Sequence, residues 1–597
     1  MAKSILHPRS FARARANSVL RLLCVMIMTF WAVAGFGQTR AHLDVMVEMR
    51  DGIRLLTDVY LPQGDGPFPV ILCRQPYGTK SEYAYQPQTG EFFASHGYVY
   101  VAQNVRGRFG SEGLFTAYTK GQEIPDAYDT IEWIDKQDWS NDNVGVMGES
   151  YYGYTSLMAA VSGHPTIKAI SPANITLARE KQTLDGAFPL QASGLWTLDM
   201  DDVENGEYQS TEHIDLTHLP LITMGENYGL RDVLWRQRVT GYSTDPREPA
   251  QAAIEYYKRI RVPTLHFGGW YDSFTRGTIA LWNGVQQYSE NTEARMNQWL
   301  VMGPWDHESM SAHLSGEDPS ISAGRRDLGN RAVTTYGETL VEFFDYFLKG
   351  ENNGFGDRPR VRYFNIGDND WRDSEQWPPA GQQIQSLYLR ADRRLTAGAP
   401  GDETADKYDY DPRDPVRITE NVNVWGRAAG LPDRQGLLER NDVLTYETAP
   451  LESSLEITGP NALELFASST ARDTDFTATL VDVYPDGYSL LIQEGILRAS
   501  FRNADEAPAN IEPGKVYKLN VDLWTTSFTV PAGHRIRLEV SSSNFPRFTR
   551  NLNNGEKFGM SDRVEIATQV VHHSEEYPSR LVLTTTPSPS SSASPRL

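Results

Sequence analysis

From about Val45 to Val105 the apolar positions fall in short runs divided by turn residues. VMVEMRDGIRLLTDVYLP predicts a hairpin around Asp51-Gly52, and PVILCR and YVYVAQNV follow as continuous apolar runs, the texture of strands covered on both faces. In IPDAYDTIEWIDKQ the spacing changes, with Ala127, Ile131 and Ile134 recurring at the period of a helix. Strand, helix and strand in succession predict a parallel sheet. NVGVMG then runs straight into ESYYGYTSLMAAVSG, which has the small and apolar residues of a packed helix, and IKAISPA reads as the next strand. From about Thr176 to Ala253 strand signals vanish, and acidic and aromatic residues fill helical stretches, as in an insertion over the sheet. Strands resume at VPTLHFGGW and NQWLVMGPW. Leu340, Phe343, Phe344 and Phe347 then give one apolar helix face, closed by Lys349 and Gly350.

After Gly350 the texture becomes short alternating runs separated by turn residues: VRYFNI, QSLYLR, VNVW, LELFASS, DFTATLVDVYP, YKLNVDLW and HRIRLEVSSS. This pattern predicts a β-sandwich or jelly roll. The closing TPSPSSSASPRL is low-complexity and predicts a disordered tail.

At 597 residues the chain exceeds one ordinary core, so several domains are expected. A formal charge of -21 repels polyanions and argues against nucleic acid as a partner. Arg9, Arg13, Arg15 and Arg21 precede the apolar run LLCVMIMTFWAVAGFG, which ends in small residues before Gln38. That layout predicts a secretory signal peptide over residues 1–37 and a periplasmic or secreted product with no stable membrane insertion once the segment is cleaved. Of the two cysteines, Cys24 lies inside this segment, so its removal leaves Cys73 alone and no intramolecular disulfide possible.

A serine hydroxyl becomes a nucleophile only when a base takes its proton and a rigid turn presents it. Gly148-Glu149-Ser150-Tyr151-Tyr152-Gly153 lies between a buried strand and a helix, where a nucleophile elbow belongs, although a G-x-S-x-G elbow would carry glycine at position 152. A serine there could also simply cap the helix. Two later loops alter the balance. Asp272, in GGWYDSF, and His307, in MGPWDH, each follow a predicted strand, in the chain order serine, acid, histidine of an α/β-hydrolase triad. Ligands of open parallel sheets bind at those carboxyl ends. Such a triad requires neither metal nor cofactor, and the acidic run at Asp199, Asp201 and Asp202 reads as a solvated face.

GESYYG, GGWYDSF and GPWDH together resemble the cocaine esterase and glutaryl cephalosporin acylase group, related to X-Pro dipeptidyl-peptidases and α-amino-acid ester hydrolases. The group's variant elbow G-x-S-Y-x-G is satisfied by Gly148, Ser150, Tyr151 and Gly153, and RQPYG, NVRGRFGSEG, HPTIKAISP and FPRFTRNLN extend the likeness over nearly the whole chain after the signal segment. The resemblance implies an α/β-hydrolase core in two parts (38–175 and 255–352), an inserted helical cap (176–254) and an all-β jelly-roll domain (353–585), with a tail over 586–597. It implies Ser150 as nucleophile, His307 as base and then acid, and Asp272 as its orienting partner. The oxyanion hole would combine the backbone N–H of Tyr151 with the Tyr77 hydroxyl.

The substrate is expected to be a small-molecule ester or amide, with esters favoured because an alkoxide leaves more readily than an amine. α-Amino-acid ester hydrolases hold the substrate ammonium with carboxylates just after the catalytic aspartate. The stretch Asp272-Ser273-Phe274-Thr275 offers none beyond Asp272 itself, so a buried ammonium would lack its partners there. Phe274, and Trp196 in the cap, match aromatic pocket positions, which points to apolar or aromatic acyl groups. The sequence leaves three alternatives: an amidase or acylase, an X-Pro-type dipeptidyl-peptidase, and a catalytically dead scaffold that binds a glycan. The assembly is equally open between a monomer and a homo-oligomer.

Overall fold

A computed structural model of the chain describes residues 40–587 except 82–84, 119, 178–184, 202–212, 231, 242–246, 311–313, 315–320, 418–430 and 505. The N-terminal segment read as a signal peptide, and the terminal tail from 588 on, lie outside the described residues.

The hairpin expected at Asp51-Gly52 forms from β1 (Arg40–Glu48) and β2 (Arg54–Leu61). These strands edge a ten-stranded sheet continued by β3 (Phe68–Gln75), β4 (Val99–Asn104), β5 (Ser140–Glu149), β6 (Ile167–Ala173), β7 (Thr264–Gly269), β8 (Gln298–Gly303), β9 (Val361–Asn365) and β10 (Asp370–Ser374). Their order is β1-β2-β4-β3-β5-β6-β7-β8-β9-β10. The pairs from β4 through β9 are parallel. Parallel strands need crossovers, and helices supply them: α1 (Lys120–Ile134) leads to β5, and α2 (Ser150–Ser162) leaves it. Ala127, Ile131 and Ile134 are fully buried, as their spacing requires, in one core with Leu157 and Met158 of α2.

Between β6 and β7 the described part of the cap is helical, including α3 (Leu195–Asp201), α4 (Val233–Thr240) and α5 (Arg247–Arg259). After β7 comes α6 (Thr275–Tyr288), and after β8 comes α7 (Tyr336–Phe344), whose buried Leu340, Phe343 and Phe344 form the expected apolar face. Gly350, at φ 71°, ends the π-helical turn that follows. No helix among the described residues is long and apolar enough to cross a membrane. Cys73 is buried in β3, and burial pushes its thiol up to about 12.

Among the described residues, the C-terminal region is built from two antiparallel sheets, of seven and four strands; the run VNVW lies outside the described residues. One expectation is corrected here. VRYFNI, read as the first run of the sandwich, instead supplies β9, which pairs in parallel with β8 in the hydrolase sheet. Alternation marks a strand but not which sheet receives it. That strand also forms the seam between the two regions. Ile366 donates its N–H to the Ser527 carbonyl at 3.0 Å, and Thr529 returns one to Ile366 at 2.7 Å. The fully buried Asn365 amide donates to Ser527 Oγ and accepts from Thr529 Oγ1, both at 3.0 Å.

Removing that amide would leave the buried Thr529 hydroxyl without its Asn365 acceptor, while Ser527 Oγ keeps the Thr458 hydroxyl at 3.0 Å, at a cost of about 1–3 kcal/mol. Asn365→Ala should therefore lower the urea midpoint of unfolding, whereas an unchanged midpoint would show the seam to be energetically idle.

Candidate active site

Ser150 begins α2 directly after β5, at φ 56°. A side chain in the left-handed region costs of the order of 1–2 kcal/mol and persists only where the surroundings impose it. Here they do. A Cβ on Gly148 would meet the Tyr152 carbonyl oxygen at 2.4 Å, and one on Gly153 would meet the carbonyls of Ala173 and Gly148 at 2.9 Å. Glycine is thus needed at 148 and 153, while position 152 carries Tyr152, whose ring meets Tyr77 edge-on.

Asp272 and His307 come from the ends of β7 and β8, which are locked together. Trp270 donates its N–H to the Gly303 carbonyl at 2.9 Å, and Tyr271 donates to the Trp305 carbonyl at 3.1 Å. A Cβ on Gly269 would lie 2.1 Å from the Trp305 oxygen, so only glycine permits the approach. Across this junction His307 Nδ1 and Asp272 Oδ2 are 2.6 Å apart. The second Asp272 oxygen accepts the Phe274 N–H at 2.5 Å, which fixes the carboxylate plane. Asp306 is committed elsewhere: its Oδ1 accepts from the N–H and hydroxyl of Ser309, closing the turn that presents His307.

Burial alone would pull the His307 pKa down, but the charge and hydrogen bond of Asp272, helped by Glu149 and Asp306, raise it to about 9. His266, in β7 itself, behaves oppositely. It has no carboxylate partner of that kind; burial lowers it to about 4, and its Nε2 meets Gln298 Oε1 at 2.8 Å, as expected of a core histidine.

The remaining expected residues converge on the same edge of the sheet. Tyr77, in the loop after β3, is buried, and its hydroxyl accepts the Trp196 indole N–H at 3.0 Å. Its ring meets Tyr152 edge-on, with centroids 5.9 Å apart. Tyr151 is fully buried and stacks on Trp196 at 5.8 Å. Phe274 lies against the His307 ring at 5.6 Å. Trp196 also lines a cavity of about 390 Å³ with Tyr118, Tyr154, Leu177, Leu234 and Arg238.

Several supporting residues carried no signal that the sequence reading used. Glu149, inside the elbow motif, is buried and accepts from Asn174 Nδ2 at 2.8 Å. Glu123, on α1, accepts the Tyr151 hydroxyl at 3.0 Å and pairs with the fully buried Arg74 at 3.0 Å. Burial raises the Glu123 carboxyl, and the Arg74 charge opposes that rise. Arg108, within NVRGRFGSEG, donates to the carbonyls of Pro76 at 2.9 Å and Met200 at 3.0 Å. Their types and places in the motifs were visible; their partners, distant in sequence, were not.

Comparison with known proteins agrees with this architecture. The family model of X-Pro dipeptidyl-peptidases of the S15 family matches residues 51–309, and that of the X-Pro dipeptidyl-peptidase C-terminal non-catalytic domain matches 353–582. A cocaine esterase of Rhodococcus sp. is 33% identical over 587 residues, covering 90% of this chain and 97% of that protein. Among solved structures, an aminopeptidase from a marine sediment Thaumarchaeota archaeon has a TM-score of 0.81 at 26% identity, covering 92% of this chain and 96% of its own. An α-amino-acid ester hydrolase has a TM-score of 0.79 at 26% identity, covering 93% and 99%. These relatives lend no support to a glycan-binding scaffold. The chain is a serine hydrolase of the α/β-hydrolase fold with a C-terminal β domain, and it belongs to the family of the cocaine esterases and X-Pro dipeptidyl-peptidases.

Proposed function

We propose that the protein is an exported esterase that forms an acyl-enzyme on Ser150 and releases it to water. The observation that carries this reading is the 2.6 Å contact between His307 and Asp272 at the ends of β7 and β8, with Ser150 kept in the left-handed region at the end of β5 of the same sheet. Ser150 Oγ attacks the ester carbonyl while His307 Nε2 takes its proton. The Tyr151 N–H and Tyr77 O–H stabilise the oxyanion. The imidazolium then returns the proton to the departing alkoxide, and water repeats the sequence on the acyl-enzyme. Asp272 holds the imidazole with Nε2 toward the serine and stabilises its charged form.

The substrates are carboxylic esters with apolar or aromatic acyl groups. Phe274 against His307, and Trp196 with Tyr118 and Tyr154 along the neighbouring cavity, supply the aromatic surface. Amide or peptide cleavage is the second reading, favoured by the S15 family match. A free α-ammonium would find no carboxylate in Ser273-Phe274-Thr275, which favours the ester. The C-terminal β domain is read as a jelly roll. Export rests on the basic and apolar order of the N-terminal residues.

On matched benzoyl esters and anilides the enzyme should turn over the esters faster, and Ser150→Ala should lose at least about a thousandfold in kcat together with labelling by a fluorophosphonate. Equal or faster anilide turnover would replace the ester reading, and surviving activity in the variant would point to another nucleophile.

The base must be neutral imidazole, so a raised His307 pKa means that kcat/KM climbs with pH, about tenfold per unit below 9, and levels off above it. Glu149→Gln removes one of the charges that raise His307 and should move that inflection to lower pH. A profile flat between pH 6 and 9 would contradict the assignment of His307 as base.

Expression with the full leader should yield a periplasmic or extracellular protein that lacks residues 1–37 by intact mass, the segment with the layout of a signal peptide. A full-length product retained in the cytoplasm would remove the export reading.

A further inference from the structure

The proposed oxyanion tyrosine is held by the cap as well as by its own loop. On the core side, the Tyr77 N–H donates to Gln75 Oε1 at 2.5 Å, and Gln75 Nε2 donates to Asn104 Oδ1 at 2.8 Å, at the end of β4. On the cap side two bonds converge from α3. Trp196 Nε1 donates to the Tyr77 hydroxyl at 3.0 Å. Arg108 grips the Pro76 carbonyl with Nε at 2.9 Å and the Met200 carbonyl with Nη1 at 3.0 Å. Trp196 and Met200 are four residues apart, one turn along the same helix face. A single face of α3 is therefore tied both to the hydroxyl of residue 77 and, through a buried guanidinium, to the backbone of residue 76. The same indole stacks on Tyr151 at 5.8 Å with its plane 23° from parallel. Trp196 thus touches both residues proposed to donate to the oxyanion.

A phenolic O–H lies in the ring plane and can flip its proton to either side of the C–O axis. A donor placed on one lone pair turns the proton away from that side and polarises the O–H, making it a stronger donor. The aromatic wall around Trp196 explains why an apolar side chain belongs at this position, but it does not explain why the indole N–H ends on the Tyr77 oxygen.

We propose that Trp196 is a positioning residue of the oxyanion hole: its N–H fixes the Tyr77 hydroxyl, with Arg108 securing the loop beneath, so that cap helix α3 completes the catalytic machinery rather than only covering it. This rests on the reading of Tyr77 as an oxyanion donor.

Trp196→Phe keeps an aromatic ring beside Tyr151 but removes the N–H together with part of the indole, so the double-mutant comparison with Tyr77→Phe separates the lost hydrogen bond from the lost volume. A positioned hydrogen bond of ordinary strength corresponds to a loss of roughly two- to twelvefold in kcat, with KM changed less than about twofold. Affinity for benzeneboronic acid, which forms a tetrahedral adduct on the serine, should fall by the same factor, whereas benzoate, a planar product analogue, should bind as before. In a Tyr77→Phe background Trp196→Phe should cost nothing further, because the oxygen it positions is gone. An equal loss in both backgrounds, or an effect confined to KM and benzoate binding, would make Trp196 a pocket wall and overturn the inference while leaving the oxyanion reading intact. Tyr77→Phe with undiminished kcat would overturn both.

Discussion

The carboxyl ends of β7 and β8 approach each other so closely at Gly269 and Trp305 that no side chain fits between them, and the pairing of Asp272 with His307 depends on that contact. Two backbone hydrogen bonds, from Trp270 to Gly303 and from Tyr271 to Trp305, fix the relative height of the two loops. Asp272 and His307 stand one and two residues beyond these bonds, so their 2.6 Å contact is dictated by the backbone rather than by flexible side chains. Catalytic groups need placement to within a fraction of an ångström, and rigid strand ends provide it at little entropic cost.

The electrostatics follow from the same geometry. A buried imidazolium is unfavourable by itself. Asp272, Glu149 and Asp306 reverse the balance and raise His307. The carboxylates are themselves held by donors: the Phe274 N–H on Asp272, Asn174 on Glu149, and Ser309 on Asp306. The field at the imidazole is therefore preorganised, as the proposed transfer of the Ser150 proton to His307 requires.

Much of this was legible in the sequence, for identifiable reasons. Ser150, Asp272 and His307 each follow an apolar run that had to be a covered strand, and parallel strands present their carboxyl ends together. The elbow's departure from G-x-S-x-G is legible only through resemblance; the structure adds why glycine stands at 153, where the carbonyls of Ala173 and Gly148 leave no room for a Cβ. Two kinds of information were hidden. Strand identity does not specify a sheet, so VRYFNI was placed in the wrong one. Partners such as Glu123 for Tyr151, Arg108 for Pro76 and Trp196 for Tyr77 lie 28, 32 and 119 residues apart, and no local periodicity links them. Burial of charge is equally invisible: Arg74 sits in an ordinary strand yet is fully enclosed.

Cys73 has one further consequence. Among the described residues it is the only cysteine; it is buried within the sheet, with a thiol that burial holds far from ionisation. Thiolates, not thiols, react with maleimides and oxidants. Among the described residues, the folded protein therefore offers maleimides no competing thiolate. A cysteine introduced at an exposed place such as Leu114 or Met296 would be a single chemical handle for a fluorophore, a surface or a carrier, on a side of the chemistry that the serine does not share.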